Sequence, residues 1–306
     1  MRDGLLRDEA TLDRDQQQTG ERFAFKWAQR RTYASDAVET ATRNWLVERY
    51  GDLATPAAWA GFGPEPLLLD AGCGAGLTAR LLLGPMLDHV RYVGVDISAA
   101  IDEAVAALRK AGRRGVFVQA DLCALPFAPG SFDFILCEGT LHHTPSTRAA
   151  LLAVARHLKP GGVIAFYVYR RKSPVREFTD DYIRGRLRDL PPEEAWRQLM
   201  PLTRLGQALG ELDVEVDVPE SVPLLGIPAG PINLQRLIYW HFCKLFYRPD
   251  YTLEEMNHVN FDWFAPAYAH RHTPEEVAEW CAEAGLQVES MRVEEAGITT
   301  RARRAR

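Results

Sequence analysis

Three glycines spaced two residues apart, with an acid just ahead of them, are the first chemistry this chain offers. Leu67 to Gly76 reads LLLDAGCGAG, an apolar run followed by Asp70, Gly72, Gly74 and Gly76 and then by the helix-like LTARLLLGPML. Glycines at a strand-to-helix turn let backbone N–H groups approach a ligand closely. The spacing selects among ligands. A dinucleotide fingerprint needs a glycine at position 77, where Leu77 stands, and the Lys-Ser/Thr ending of a phosphate loop is replaced by Leu77 and Thr78. Asp70 in front of the turn repels phosphate and suits a cationic or hydroxyl-bearing ligand. The turn therefore points to a nucleoside with an amino-acid arm.

Two more carboxylates close apolar runs, Asp96 after RYVGV and Asp121 after GVFVQA. A carboxylate at a strand end offers two acceptor oxygens, although either acid taken alone also reads as a solvated strand end. Residues able to move a proton cluster in EGTLHHTP, which holds Glu138, His142 and His143. A second group, Asp262, Tyr268, His270 and His272, lies in FDWFAPAYAHRHTPEE. His270 and His272 have no third and fourth ligand at zinc spacing, so no metal site is expected. Cys73, Cys123, Cys137, Cys243 and Cys281 are odd in number and form no CxxC pair. They fit reduced, mostly buried thiols.

These residues need elements to position them. From Leu67 to Tyr169 short apolar runs alternate with helix-like stretches: PLLLDAG, RYVGVDIS, GVFVQAD, FDFILCEG and VIAFYVYR as strands, with helices between most of them. Runs of that length between helices fit a sheet covered on both faces, a doubly wound α/β domain with a mostly parallel sheet. Residues 1–60 form a helical segment, with AVETATRNWLVERYG as a helix stopped by glycine. Residues 61–172 form the core. Residues 173–260 lose the strand-helix rhythm and read as a mostly helical cap, and 261–306 return to the core with TPEEVAEWCAEAGL as last helix and QVESMRVEE and GITTRAR as closing strands.

With these marks in order, residues of about 60 to 170, together with the final helix and strands, resemble the cofactor domain of class I S-adenosylmethionine-dependent methyltransferases, of the small-molecule type with a cap insertion. The resemblance implies a seven-stranded sheet and S-adenosylmethionine as cofactor, with S-adenosylhomocysteine as product. It implies that Asp70, Gly72, Gly74 and Gly76 pack against the methionine part, and that Asp96, with Ile97 beside it, accepts from the ribose hydroxyls. Asp121 would accept from the adenine amino group, the Leu122 amide would face the ring, and Glu138 would lie near the sulfonium. FAFKWAQRRTY is similar to the N-terminal lid many of these enzymes lay over the cofactor, with Tyr33 against the methionine carboxylate; packing of Phe23, Phe25 and Trp27 on the sheet is the other reading.

A sulfonium methyl is already activated, so the protein must chiefly align acceptor, methyl and sulfur and exclude water. A protonated acceptor also needs a base, for which His142 is expected first and His143 second. Tyr268, His270 and His272 are expected to hydrogen-bond the substrate. The cap stretch SVPLLGIPAGPINLQRLIYWHFCKLFYRPDY is rich in Leu, Ile, Tyr, Trp and Phe; it reads equally as an acceptor pocket, a homodimer interface or cap core.

Composition narrows the partners. With 36 Lys+Arg against 41 Asp+Glu, net −5, the chain is no electrostatic nucleic-acid binder as a whole. The basic end TTRARRAR, with Arg301, Arg303, Arg304 and Arg306, is expected to be a frayed, solvated tail. No run reaches the roughly 18 apolar residues of a bilayer span and the first residues carry no signal-peptide core, so a cytoplasmic biosynthetic enzyme is expected. The leading reading is a methyltransferase acting on oxygen, nitrogen or carbon of a small molecule, in natural-product or sugar metabolism. An RNA or protein methyltransferase, and a non-methylating binder of the cofactor or an enzyme using it for a different reaction, are the alternatives.

Overall fold

The computed structural model describes residues 5–7 and 12–306. β1 (Leu5–Arg7) is followed by α1 (Arg14–Ala28), which starts in a capping box between Asp13 and Gln16. α2 (Asp36–Tyr50) begins at the Ser35 cap and stops at Gly51 with φ 78°, a conformation that glycine adopts freely. The core then alternates β2 (Leu67–Ala71), α3 (Leu77–Leu83), β3 (Arg91–Asp96), α4 (Ile101–Lys110), β4 (Val116–Gln119), β5 (Phe132–Cys137), α5 (Thr147–Ala155) and β6 (Leu158–Tyr169).

Four helices and a two-stranded ribbon follow: α6 (Pro174–Leu187), α7 (Pro192–Glu211), β7 (Glu215–Val218), β8 (Gly230–Asn233), α8 (Leu234–His241) and α9 (Leu253–Phe264). The chain closes through α10 (Pro274–Glu283), β9 (Leu286–Val293) and β10 (Gly297–Arg304).

Among the described residues one sheet holds eight strands in the order β1-β4-β3-β2-β5-β6-β10-β9, parallel from β1 to β6, with β10 antiparallel to both neighbours. The side-chain period of two sorts its residues. Leu68, Leu136 and Val163 face α2, α3 and the cap, while Leu69, Ile135 and Ile164 face α5 and α10. Strand order reverses between β2 and its neighbours β3 and β5. Ligands of open parallel sheets sit outside the carboxyl ends of the strands at such a point.

Several expectations need correction. The sheet gains an eighth strand over the expected seven, because Leu5–Arg7 pairs with Phe117–Gln119; three residues are too few for periodicity to reveal. α3 stops at Leu83, where Gly84 has φ 50° and Pro85 follows, so GPML leaves the α-helix. RAALLAVARHLKPGG, which reads as one helix in sequence, divides: α5 ends at Ala155 and β6 already starts at Leu158, and a register shift against β5 accommodates it. The basic end is not frayed. Arg301 and Arg303 sit in β10 and donate to Glu289 at 2.8 and 2.6 Å, while Arg304 donates to the carbonyl of Arg156 at 3.0 Å.

Candidate active site

A cavity of about 390 Å³ opens over the carboxyl ends of β2 to β6 and runs beneath α1 and the cap. Its floor explains the glycines. Gly72, Gly74 and Gly76 all have positive φ, at 89°, 50° and 73°, but each has a different neighbour. A Cβ on Gly72 would overlap the Thr140 side chain, and one on Gly74 would lie 2.8 Å from Nε1 of Trp27 on α1. Both residues line the cavity. Gly76 does not: its missing side chain makes room for Ala104 of α4 at 3.3 Å, so it serves helix packing.

Asp70 is likewise no part of the cavity wall, contrary to expectation. It is 1% exposed beneath the turn and accepts from the Tyr92 hydroxyl at 2.8 Å. Burial raises its pKa to about 7, against the lowering effect of Tyr92.

Asp96 and Asp121 end neighbouring strands and both line the cavity, together with Ile97 and Leu122. Asp96 accepts from the Gly74 N–H at Oδ2, 2.8 Å, and from the Ser98 N–H and hydroxyl at Oδ1, 2.8 and 2.6 Å. Burial raises its pKa, opposed by those donors. Asp121 accepts from the Cys123 N–H at 2.9 Å and from Gln16 Nε2 of α1 at 2.9 Å. A carboxylate has about four lone-pair sites, so each acid keeps acceptor capacity for a ligand. Two such acids beside a glycine turn fit a nucleoside with an amino-acid arm.

α1 forms the roof. Gln16, Thr19, Phe23, Lys26 and Trp27 line the cavity at helical spacing, joined by Thr42, Trp45 and Leu46 of α2. Two buried cations pin α1 down. Arg22, 2% exposed, donates to the carbonyls of Leu187, Arg188 and Leu190 at the end of α6. Lys26, 6% exposed, pairs with Asp262 of α9. Asp262 also accepts from the Tyr169 hydroxyl at 2.9 Å, and although burial opposes it, Lys26, His143 and Lys244 hold its carboxyl well below the usual range. Tyr33 is absent from the cavity wall: its hydroxyl donates to the Trp27 carbonyl and its ring packs against Trp27 and His258, which braces the roof.

The histidine pair separates by one residue. His142 is fully buried, lies outside the cavity wall, stacks 3.8 Å from the Tyr169 ring and has no partner for either ring nitrogen. It therefore cannot reach a ligand as a base. His143 does line the cavity. Its Nδ1 meets the carbonyl oxygen of Tyr268 at 2.6 Å, and because a carbonyl only accepts, Nδ1 carries the proton. Nε2 is left as a buried lone pair with no protein partner, and burial lowers the pKa to about 4, so the ring is neutral near pH 7. Glu138, also on the wall, accepts from the Tyr50 hydroxyl and is pushed by burial up to about 8.

Tyr268, His270 and His272 are not substrate contacts in this arrangement. The Tyr268 hydroxyl donates to Asp13, His270 Nε2 donates to the Thr144 carbonyl at 3.0 Å, and His272 Nε2 meets the Thr147 hydroxyl at 2.8 Å. None lines the cavity. They hold the loop before α10 against the histidine turn, so the loop contributes a backbone carbonyl where side chains were expected.

The other end of the cavity belongs to the cap. Tyr239 and Trp240 of α8, Trp263 of α9, and Lys172, Arg176 and Lys244 line it, which assigns part of the aromatic stretch to a pocket. Sequence reasoning missed Arg176, Lys172, Lys244, Gln16 and Thr140. They lie far apart in the chain and carry no local spacing signal. No group of three or more His, Cys, Asp or Glu that could hold a metal occurs among the described residues, and no described helix is long and apolar enough to cross a membrane.

A reversing parallel sheet, a glycine turn and two strand-end acids define a Rossmann-like nucleoside site, and the comparisons give its family. Residues 69–166 match the model of a methyltransferase domain; this segment is a class I S-adenosylmethionine-dependent methyltransferase domain, with S-adenosylmethionine as its cofactor. An uncharacterized methyltransferase of Bacillus subtilis, YcgJ, is 34% identical over 131 residues, 41% of this chain and 49% of that protein. A sterol 24-C-methyltransferase of Gibberella zeae is 30% identical over 120 residues, 35% of this chain and 28% of that protein. Trans-aconitate 2-methyltransferase of an Azoarcus strain is 36% identical over 104 residues, 34% and 39% of the two chains. The chain thus spans less than half of the length of each of these relatives. Among solved structures, the 1,6-didemethyltoxoflavin-N1-methyltransferase of Burkholderia thailandensis is distantly similar, with a TM-score of 0.45 and 15% identity over 98% of this chain and 94% of that one.

Proposed function

We propose that this chain transfers a methyl group from S-adenosylmethionine to an oxygen, nitrogen or carbon atom of a small organic molecule held beneath the cap. The observation that carries this reading is one cavity lined at one end by Asp96 and Asp121 and at the other by Tyr239, Trp240 and Trp263. The cofactor, when bound, supplies an activated methyl on a sulfonium centre. The chain's own residues do the rest. Asp96 and Asp121 keep free acceptor sites for hydroxyl and amino donors, and the glycine turn keeps the floor low. α1, tied down by Arg22 and Lys26, closes the roof and excludes water. His143, neutral and with its proton fixed on Nδ1, offers Nε2 to take a proton from the acceptor.

The aromatic cap favours a flat, largely apolar acceptor, which supports natural-product rather than sugar metabolism. The sterol and trans-aconitate methyltransferases among the relatives carry small molecules in their names, in keeping with this reading. Arg301, Arg303 and Arg304 are engaged in the sheet rather than offered as a basic surface, which favours a small acceptor over RNA. Methyl-labelled cofactor incubated with pooled small molecules, RNA and protein tests the reading. Label is expected in the small-molecule fraction; label only in RNA or protein, or cofactor binding with no transfer to any fraction, overturns it.

A further inference from the structure

Positive charge collects at the cap end of the cavity and is not neutralised there. Lys244 is 6% exposed, and its ammonium has one protein partner, the Val259 carbonyl at 3.1 Å. The Lys172 ammonium donates to the carbonyls of Glu295 and Ala296, and its backbone N–H donates to Glu177 Oε1 at 2.7 Å. Among the described residues neither ammonium lies within ion-pair distance of a carboxylate. The nearby acids are already committed. Asp262 pairs with Lys26, Asp180 takes Arg176 at 2.6 Å and Trp263 Nε1 at 2.8 Å, and Glu177 pairs with Arg271 at 2.8 Å.

The cations surround one ring. Lys244, Arg176 and Lys172 stand 4.8, 5.4 and 5.7 Å from the Trp263 centroid. A ring face offsets only part of what an ammonium loses on leaving water, and burial lowers the pKa of both Lys244 and the half-buried Lys172, with Arg176 lowering each further; the wall of the cavity thus holds two amines without a carboxylate partner. For the buried Lys244, an apolar residue of similar size is often no less stable, so folding alone does not account for an amine at that place.

Resting on the methyltransferase reading, we propose that the methyl acceptor bears a carboxylate on a flat apolar body, its anion anchored between Lys244 and Lys172 and its body against Trp240 and Trp263, while another atom of the molecule takes the methyl. A carboxylate is favoured over a phosphate because this end offers two ammonium groups and aromatic faces, without a glycine turn to supply backbone donors. Burial also pushes the Lys244 pKa down to about 7, with Arg176 and Lys26 lowering it and Asp262 and Asp180 raising it. An arriving carboxylate would return the ammonium to its charged form, so binding takes up a proton above pH 7.

The test uses the full chain and a panel of aromatic and aliphatic carboxylates, benzoate and cinnamate among them, each beside its primary amide and with phenyl phosphate added, titrated with S-adenosylhomocysteine present. At least one carboxylate is expected to bind ten-fold or more tighter than its amide, and to lose about ten-fold per pH unit above 8. Lys244→Met should abolish that preference and raise the Tm of the free protein, with S-adenosylhomocysteine affinity measured beside it; Lys172→Met serves as the second variant. Amides binding as well as acids, no acid binding, a preference that survives both variants, or phenyl phosphate binding best would each overturn the proposal. Failure of the unmodified chain to bind S-adenosylhomocysteine would count against the cofactor reading instead.

Discussion

At the residue scale, His142 and His143 share a short 3-10 turn yet meet opposite environments, one sealed against Tyr169 and the other on the cavity wall with its tautomer set by the Tyr268 carbonyl. His143→Ala is expected to lower kcat by about 10²–10⁴-fold, the usual span for a lost general base, with little change in cofactor affinity measured by calorimetry. Because burial holds its pKa near 4, this group is already unprotonated at neutral pH and should leave the pH–rate profile flat from pH 6 to 8. His142→Phe should behave in the opposite way. It removes two buried nitrogens that have no partner, an arrangement that costs about 1–3 kcal/mol per group, so Tm should hold or rise while turnover stays within about three-fold.

Asp70 gives a pH signature of its own. Its folded pKa near 7 lies above the unfolded value, so the native state binds the extra proton between the two. Stability contributed by that proton is present below the unfolded pKa and lost as pH rises through 7. Asp70→Asn should therefore stabilise the protein more at pH 8 than at pH 5 in paired thermal melts.

At the scale of elements, the roof helix decides whether the cavity exists. Arg22→Ala would strand three carbonyls at the end of α6, at a cost of about 2–3 kcal/mol. Hydrogen exchange should then quicken in residues 14–28 and the KM for the cofactor rise, whereas an unchanged exchange pattern would mean that Lys26 and the aromatic contacts hold α1 without Arg22. This level also shows what the sequence made legible. Gly72, Gly74, Asp96 and Asp121 stand at strand ends, where a local period and a short motif place them, and so they were readable. Arg22, Lys26, Asp262 and Lys244 acquire their meaning only where α1, α6 and α9 converge, across more than 150 residues of chain. Tyr268 misled because its contribution is a carbonyl, which every residue has. Tyr33 misled because its ring supports Trp27 rather than the ligand.

At the scale of the whole molecule, the last strand closes the sheet and the cap returns the chain to it. Removing residues 301–306 would unpair β10 from Ala165, Ile164 and Val163 of β6. Such a truncation should lower Tm by several degrees or prevent folding, so it cannot serve as a clean test of RNA binding. The central claim is that the carboxyl ends of the strands, the roof helix and the cap enclose a site for S-adenosylmethionine. Calorimetric titration of the intact chain with S-adenosylmethionine and S-adenosylhomocysteine, beside Asp96→Ala checked for folding by its thermal melt, tests it most directly. Micromolar binding, worth about −8 kcal/mol, weakened at least ten-fold in the variant is the expected result; binding to neither compound, or binding indifferent to Asp96, would contradict the account.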